Sequence, residues 1–156
     1  MTANGSHIVR LEFTSAFEML DFVQVVSDHL ARSIGLDEDS QHWVGVAIRE
    51  SVINAIKHGN RSDTTKHVFV EFETTSLTAV PELTIRVRDQ GEGFDPETVA
   101  NPLDPENLLK SSGRGIFLIR NFMDDMQLRR APEGGMEIRM IKRCQAPDAP
   151  GGSVQA

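Results

Sequence analysis

The 156-residue chain has one cysteine, Cys144. A lone thiol excludes an internal disulfide and leaves no CxxC pair for zinc. Cys144, near the end of the last expected strand, reads as a bystander. Long apolar runs are missing too: none approaches the ~20 residues of a membrane-spanning helix. The start, Met1-Thr-Ala-Asn-Gly, has no charged-then-apolar signal pattern. The expectation is a cytoplasmic protein without membrane association. A basic surface is also absent, since the formal charge is −7. Nonspecific nucleic-acid binding needs positive charge, so no direct nucleic-acid partner is expected. A polyphosphate ligand would need local help from cations, backbone N–H groups or helix dipoles. No internal repeat or low-complexity tract occurs before residue 145.

Apolar residues make up 39% of the chain, enough for a globular core at this length. His7 to Phe13 alternates as a strand, with Val9, Leu11 and Phe13 on one side. Thr14 or Ser15 can cap a helix, and Glu18 would complete a capping box with Ser15. Met19, Phe22, Val23, Val26, Leu30 and Ile34 follow at helical spacing. Gly35 ends that helix, and residues 37–40 offer acidic caps for the next. Val68, Val70 and Phe72 mark a second strand, and Leu83, Ile85 and Val87 a third. After a long segment from Thr98 to Ser112, Ile116 to Phe122 reads as a short helix. Strands at 126–131 and 136–142 are joined through Pro132-Glu133-Gly134-Gly135, a hairpin signal. The order predicts an α+β two-layer sandwich, its sheet mixed but mainly antiparallel, with helices on one face. Residues 7–143 form the expected domain and 144–156 a flexible tail.

The helix before Gly59-Asn60 has two kinds of face. Val44, Ile48, Val52 and Ile56 recur every four residues as an apolar row. Ala47, Glu50, Asn54 and His58 form a second row carrying a carboxylate, a carboxamide and an imidazole. Asn is seldom chosen for an exposed helix interior. Glu50 and Asn54 therefore read as directed at a ligand, with Asn offering a neutral oxygen to a hard cation and Glu a base. Taken alone, the row is equally compatible with the polar edge of an amphipathic helix. His58 sits where a helix dipole favours its charge. Gly59-Asn60 then stops the helix in the usual C-terminal way.

Asp89 shares the face of Leu83, Ile85 and Val87, so an apolar strand face ends in a carboxylate. That is costly unless the group has a partner. Gly91 and Gly93 directly after it allow a sharp turn and close approach to a ligand, although an ordinary strand-turn fits as well. Gly113-Arg114-Gly115 precedes the short helix, either as a linker or as a presenter of free N–H groups to phosphate.

In that order and separation, Glu50-x-x-x-Asn54, Asp89-x-Gly91-x-Gly93 and Gly113-x-Gly115 resemble the N, G1 and G2 boxes of the GHKL ATPase superfamily, the Bergerat ATP-binding fold. Asn54-Ala-Ile-Lys-His-Gly-Asn60, Asp89-Gln-Gly-Glu-Gly-Phe-Asp-Pro96 and Gly113-Arg-Gly-Ile-Phe-Leu-Ile119 are similar to its anti-sigma-factor serine/threonine kinase branch. The resemblance implies ATP and Mg²⁺ as cofactors. It places Asn54 on the metal, Glu50 beside the γ-phosphate as catalytic base, and Asp89 on the adenine amino group. Gly91 and Gly93 would admit the base, and Gly113, Arg114 and Gly115 would serve a lid over the phosphates. His58 joins this cofactor-binding set. Ser111-Ser112 stands where related lids often carry more glycine. The chain has no upstream dimerisation helices with a phosphoacceptor His and no second domain, which favours a small switch protein.

The implied function is an anti-sigma factor that phosphorylates an anti-anti-sigma factor of the STAS type and binds a sigma factor, with a homodimer as family precedent. The alternatives are a non-catalytic ATP-binding module that captures a partner, and a slow ATPase using water.

Overall fold

The alternating apolar residues assemble into one sheet. The computed structural model describes residues 6–75, 80–92 and 111–145. Its strands are β1 (His7–Thr14), β2 (His67–Thr75), β3 (Glu82–Arg88), β4 (Asp125–Arg130) and β5 (Met136–Arg143), in the spatial order β1-β2-β3-β5-β4. Every described pairing is antiparallel. The parallel component of the expected mixed sheet is therefore not found among these residues. A helical hairpin between β1 and β2 returns the chain to the end of the sheet that β1 left, so β2 runs back beside it.

Register puts the apolar parities in line. Val9, Phe72, Ile85, Met140 and Met126 form one row across all five strands, and Leu11, Val70, Val87, Ile138 and Leu128 form the next. The other face is charged, with ion pairs Arg10–Glu71 at 2.7 Å, Arg86–Glu71 at 2.8 Å and Arg129–Glu137 at 2.7 Å. Such pairs add little individually in water, but they suit a face left open to solvent.

Three helices join the apolar face: α1 (Leu20–Ser33), α2 (Glu38–Asn54) and α3 (Ser111–Phe122). Helix α2 continues into a π-helical turn, Ala55–Gly59. Val44, Ile48, Val52 and Ile56 are wholly buried, as their four-residue spacing predicts. Burying each such side chain is worth about 1.5–3 kcal/mol. Trp43 of α2 stacks flat on Phe122 at the end of α3, with centroids 3.6 Å apart and planes 2° from parallel. Asp37 caps α2 by accepting the Ser40 N–H at 2.7 Å. No described helix is long and apolar enough to cross a membrane.

Three local expectations change. The Ser15 capping box does not form. A 3₁₀ turn, Phe17–Met19, precedes α1 without a side-chain cap, because Ser15 is buried and donates to the Lys66 carbonyl. Helix α3 begins at Ser111 instead of Ile116, so Gly113 and Gly115 lie inside its opening turns. Glycine in a helix costs only about 1 kcal/mol against alanine, less than a break requires. The end of α2 is also unlike a glycine stop: Asn60 is right-handed, and the positive φ angles fall on Arg61 and Ser62. The segment from Gly93 to residue 110 and the tail from residue 146 lie outside the described residues. Cys144 is tied in, its thiol donating to the Ile34 carbonyl at 3.1 Å.

Candidate functional site

Between the end of α2 and the sheet lies a cavity of about 400 Å³, lined by Asn54, Ala55, His58, Gly59 and Arg61 on the helix side and by Val87, Asp89, Leu128, Met136 and Ile138 on the sheet side. That size suits a small organic ligand. Ser51, Glu92 and Ile116 complete the lining. The strand pattern explains the position: Val87, Ile138 and Leu128 belong to one cross-sheet row, and Asp89 continues β3 one step past it.

Asp89 is buried, with 5% of its surface exposed. Its backbone N–H donates to the Met136 carbonyl at 3.1 Å. Its Oδ1 accepts from the Gly91 N–H at 2.9 Å and the Met136 N–H at 3.1 Å. Oδ2 takes no hydrogen bond from the described residues and packs beside Gly59 at the cavity edge. Burial pushes the carboxyl's pKa up from its usual 3.8, against the pull of those two N–H groups and the charges of Arg88 and Lys66.

The carboxylate is packed by backbone. A Cβ on Gly59 would overlap the Asp89 carboxylate, and one on Gly91 would overlap the Gly59 carbonyl. Gly135 of the β4–β5 hairpin has φ +81°, and a Cβ there would strike the Asp89 carbonyl. Asn60 fixes this arrangement from below. Its amide donates to Ser15 Oγ at 2.9 Å and to the His67 carbonyl at 3.0 Å, while its Oδ1 accepts the Gln90 N–H at 2.7 Å. One buried side chain thus holds the end of α2, the end of β1 and the turn after β3 together.

The cavity brings Asn54 and His58, one turn apart on a continuous helical segment, together with Asp89 from the distant end of β3. Gly91 packs against Asp89 without lining the cavity. Glu50 is half-buried on α2 one turn before Asn54 and is also outside the lining. Gly113, Arg114 and Gly115 lie in the first turns of α3, immediately before the lining residue Ile116. Gly93 lies outside the described residues. The sequence reading missed Gly59, Asn60 and Gly135 as site residues, taking them for a helix stop and a hairpin. Val87, Met136 and Ile138 were visible as apolar parity but not as cavity wall. Arg61 had no signal beyond its place in a polar connection.

Residues 15–142 match the family model of the histidine kinase-like ATPase domain. The chain is 31% identical over 138 residues to the anti-sigma F factor of Bacillus subtilis, an alignment covering 86% of this chain and 90% of the relative. The anti-sigma F factor of Oceanobacillus iheyensis is 30% identical over 137 residues, covering 85% and 90%. The serine-protein kinase RsbW of Staphylococcus epidermidis is 26% identical over 141 residues, covering 86% and 85%. The chain therefore belongs to the histidine kinase-like (GHKL) ATPase family, in the group that its anti-sigma-factor and serine-protein-kinase relatives occupy.

Proposed function

We propose that the chain binds Mg-ATP in this cavity and phosphorylates a serine or threonine of a STAS-type anti-anti-sigma factor. It also holds a sigma factor inactive until the unphosphorylated antagonist competes for it. The observation that carries this reading is Asp89: one oxygen is held by two backbone N–H groups, the other takes no hydrogen bond among the described residues, and the residue lines a slot with Val87, Leu128 and Ile138. A flat aromatic ring with an amino group on its edge matches that slot, because the amino group supplies the donor that Oδ2 lacks.

Each remaining residue has a role consistent with its place. Asn54 would offer its amide oxygen to Mg²⁺, which takes few protein ligands and prefers oxygen. Among the described residues no group of three His, Cys, Asp or Glu could hold a metal alone, so a cation here would lean on Asn54 and on phosphate oxygens. When bound, that cation neutralises phosphate charge. Glu50 would orient the attacking hydroxyl and accept its proton as the oxygen bonds to phosphorus and ADP leaves. The first N–H groups of α3, around Gly113 and Arg114, lack intrahelical partners and would face the phosphates, with Gly115 behind them and Arg114 adding charge. His58 would flank the nucleotide, and Gly91 and Gly93 would let the base approach. The working unit is residues 7–143, in a cytoplasmic homodimer.

The test is transfer of label from γ-labelled ATP to candidate STAS-domain proteins. Label on a serine or threonine of one of them is the expected result. Bound ATP with no transfer to any candidate would remove the kinase reading. The position of Glu50 outside the cavity lining favours a second reading, a non-catalytic ATP-binding module that captures a partner. ADP accumulating in the presence of partner distinguishes turnover from capture.

A further inference from the structure

Arg61 and Ser62, with φ of 54° and 58°, are the only described residues other than glycine in the left-handed region. That conformation costs free energy in any residue with a Cβ, and it persists only where the surroundings enforce it. Here they do. The Ser62 N–H donates to the Ile56 carbonyl at 2.7 Å, and the Asp63 N–H to the Asn60 carbonyl at 3.0 Å. Asn60 is itself locked to Ser15, His67 and the Gln90 N–H. The strained pair is therefore anchored to the tether that positions the turn beside Asp89. Glycine would sit at position 61 without strain, yet the chain places arginine there.

The side chain has no structural employment to explain that choice. Arg61 is exposed and makes no ion pair or side-chain hydrogen bond among the described residues. It lines the cavity, and it is the only Lys or Arg among the lining residues. Across the cavity the sheet side is apolar, from Val87, Leu128 and Ile138, and includes Asp89. Guanidinium is planar, always charged and weakly hydrated, so it covers aromatic faces well.

We propose that Arg61 is a nucleobase clamp: its guanidinium lies over the face of the purine whose amino edge meets Asp89. The inference rests on the nucleotide reading above and adds to it a residue that fixes base affinity independently of the phosphates. It also accounts for the strained backbone, which delivers the side chain to the cavity rim.

The experiment is calorimetric titration of the wild-type chain, R61G and R61N with adenosine and with Mg-ADP, alongside thermal melts. Both substitutions tolerate positive φ, so melting temperatures should equal or exceed wild type and rule out misfolding as a cause. Affinity should fall roughly tenfold in both variants, by the same factor for adenosine as for Mg-ADP, because the contact is to the base. Unchanged affinity would overturn the proposal, as would a loss confined to Mg-ADP, which would assign Arg61 to the phosphates. A wild-type chain that binds neither ligand would sink the nucleotide reading and this inference with it. Wild-type binding with unaltered variants would sink this inference alone.

Discussion

Replacing Asp89 with asparagine separates ligand recognition from folding. The two backbone N–H donors, from Gly91 at 2.9 Å and Met136 at 3.1 Å, can both be kept by the asparagine oxygen. The new NH₂ then takes the place of Oδ2 and presents a donor where the wild type presents an acceptor. A hydrogen bond to a charged group is worth about 1.5–3 kcal/mol. Its loss should weaken Mg-ADP binding about 10- to 150-fold. Stability should move the other way or not at all. The folded pKa of Asp89 is raised by burial, so the folded chain holds that proton more tightly than the unfolded one. The associated stabilisation is complete below the unfolded pKa and is lost as pH rises through the folded value. At pH 7 the carboxylate therefore opposes folding, and a neutral amide removes that opposition. The assays are isothermal titration with Mg-ADP and thermal unfolding at pH 7. Wild-type affinity in D89N would refute the placement of the base at Asp89. A fall in melting temperature of more than about 5 °C, over 1 kcal/mol for a chain of this size, would mean that the charge itself holds the fold.

Further outcomes follow from the same geometry. Glu50→Gln should cut phosphotransfer by about 10²–10⁴-fold while sparing nucleotide affinity, and unchanged transfer would take Glu50 out of the mechanism. Asn60→Ala removes three hydrogen bonds, one buried and two part-buried, at about 1 kcal/mol each; melting should drop about 6–12 °C, whereas a loss under 2 °C would contradict the tether. Gly135→Ala must force both a left-handed φ and an overlap with the Asp89 carbonyl, costing about 2–5 kcal/mol. Gly134→Ala, with φ +102° but open space around it, should cost only about 1–2 kcal/mol; equal melting temperatures would show that the overlap relaxes freely.

What could be read from the chain was what repeats locally. The Val44, Ile48, Val52, Ile56 row and the alternation of β2, β3 and β5 are set by helix and strand periods, and the fold keeps them. Asp89 stood out because it broke an apolar parity. Other features depend on contacts between distant segments, which local spacing does not encode. Ser15 looked like a helix cap until a partner 45 residues away, Asn60, used its oxygen. Gly59 looked like a stop, and Gly135 a hairpin glycine, because the carboxylate both must clear belongs to another strand. Gly113 and Gly115 read as a segment preceding the helix, but the helix starts at Ser111 and absorbs their modest cost. The strain at Arg61 depends on a register that no residue there announces.

The stack between Trp43 and Phe122 gives the protein a built-in optical gauge. The chain has one tryptophan and no tyrosine, so nearly all its ultraviolet emission originates where α2 meets the end of α3. Those two helices carry Asn54 and the Gly113–Gly115 segment. Parting the rings would change the emission spectrum, and any shift of α3 against α2 on ligand entry can be followed in real time without attaching a dye.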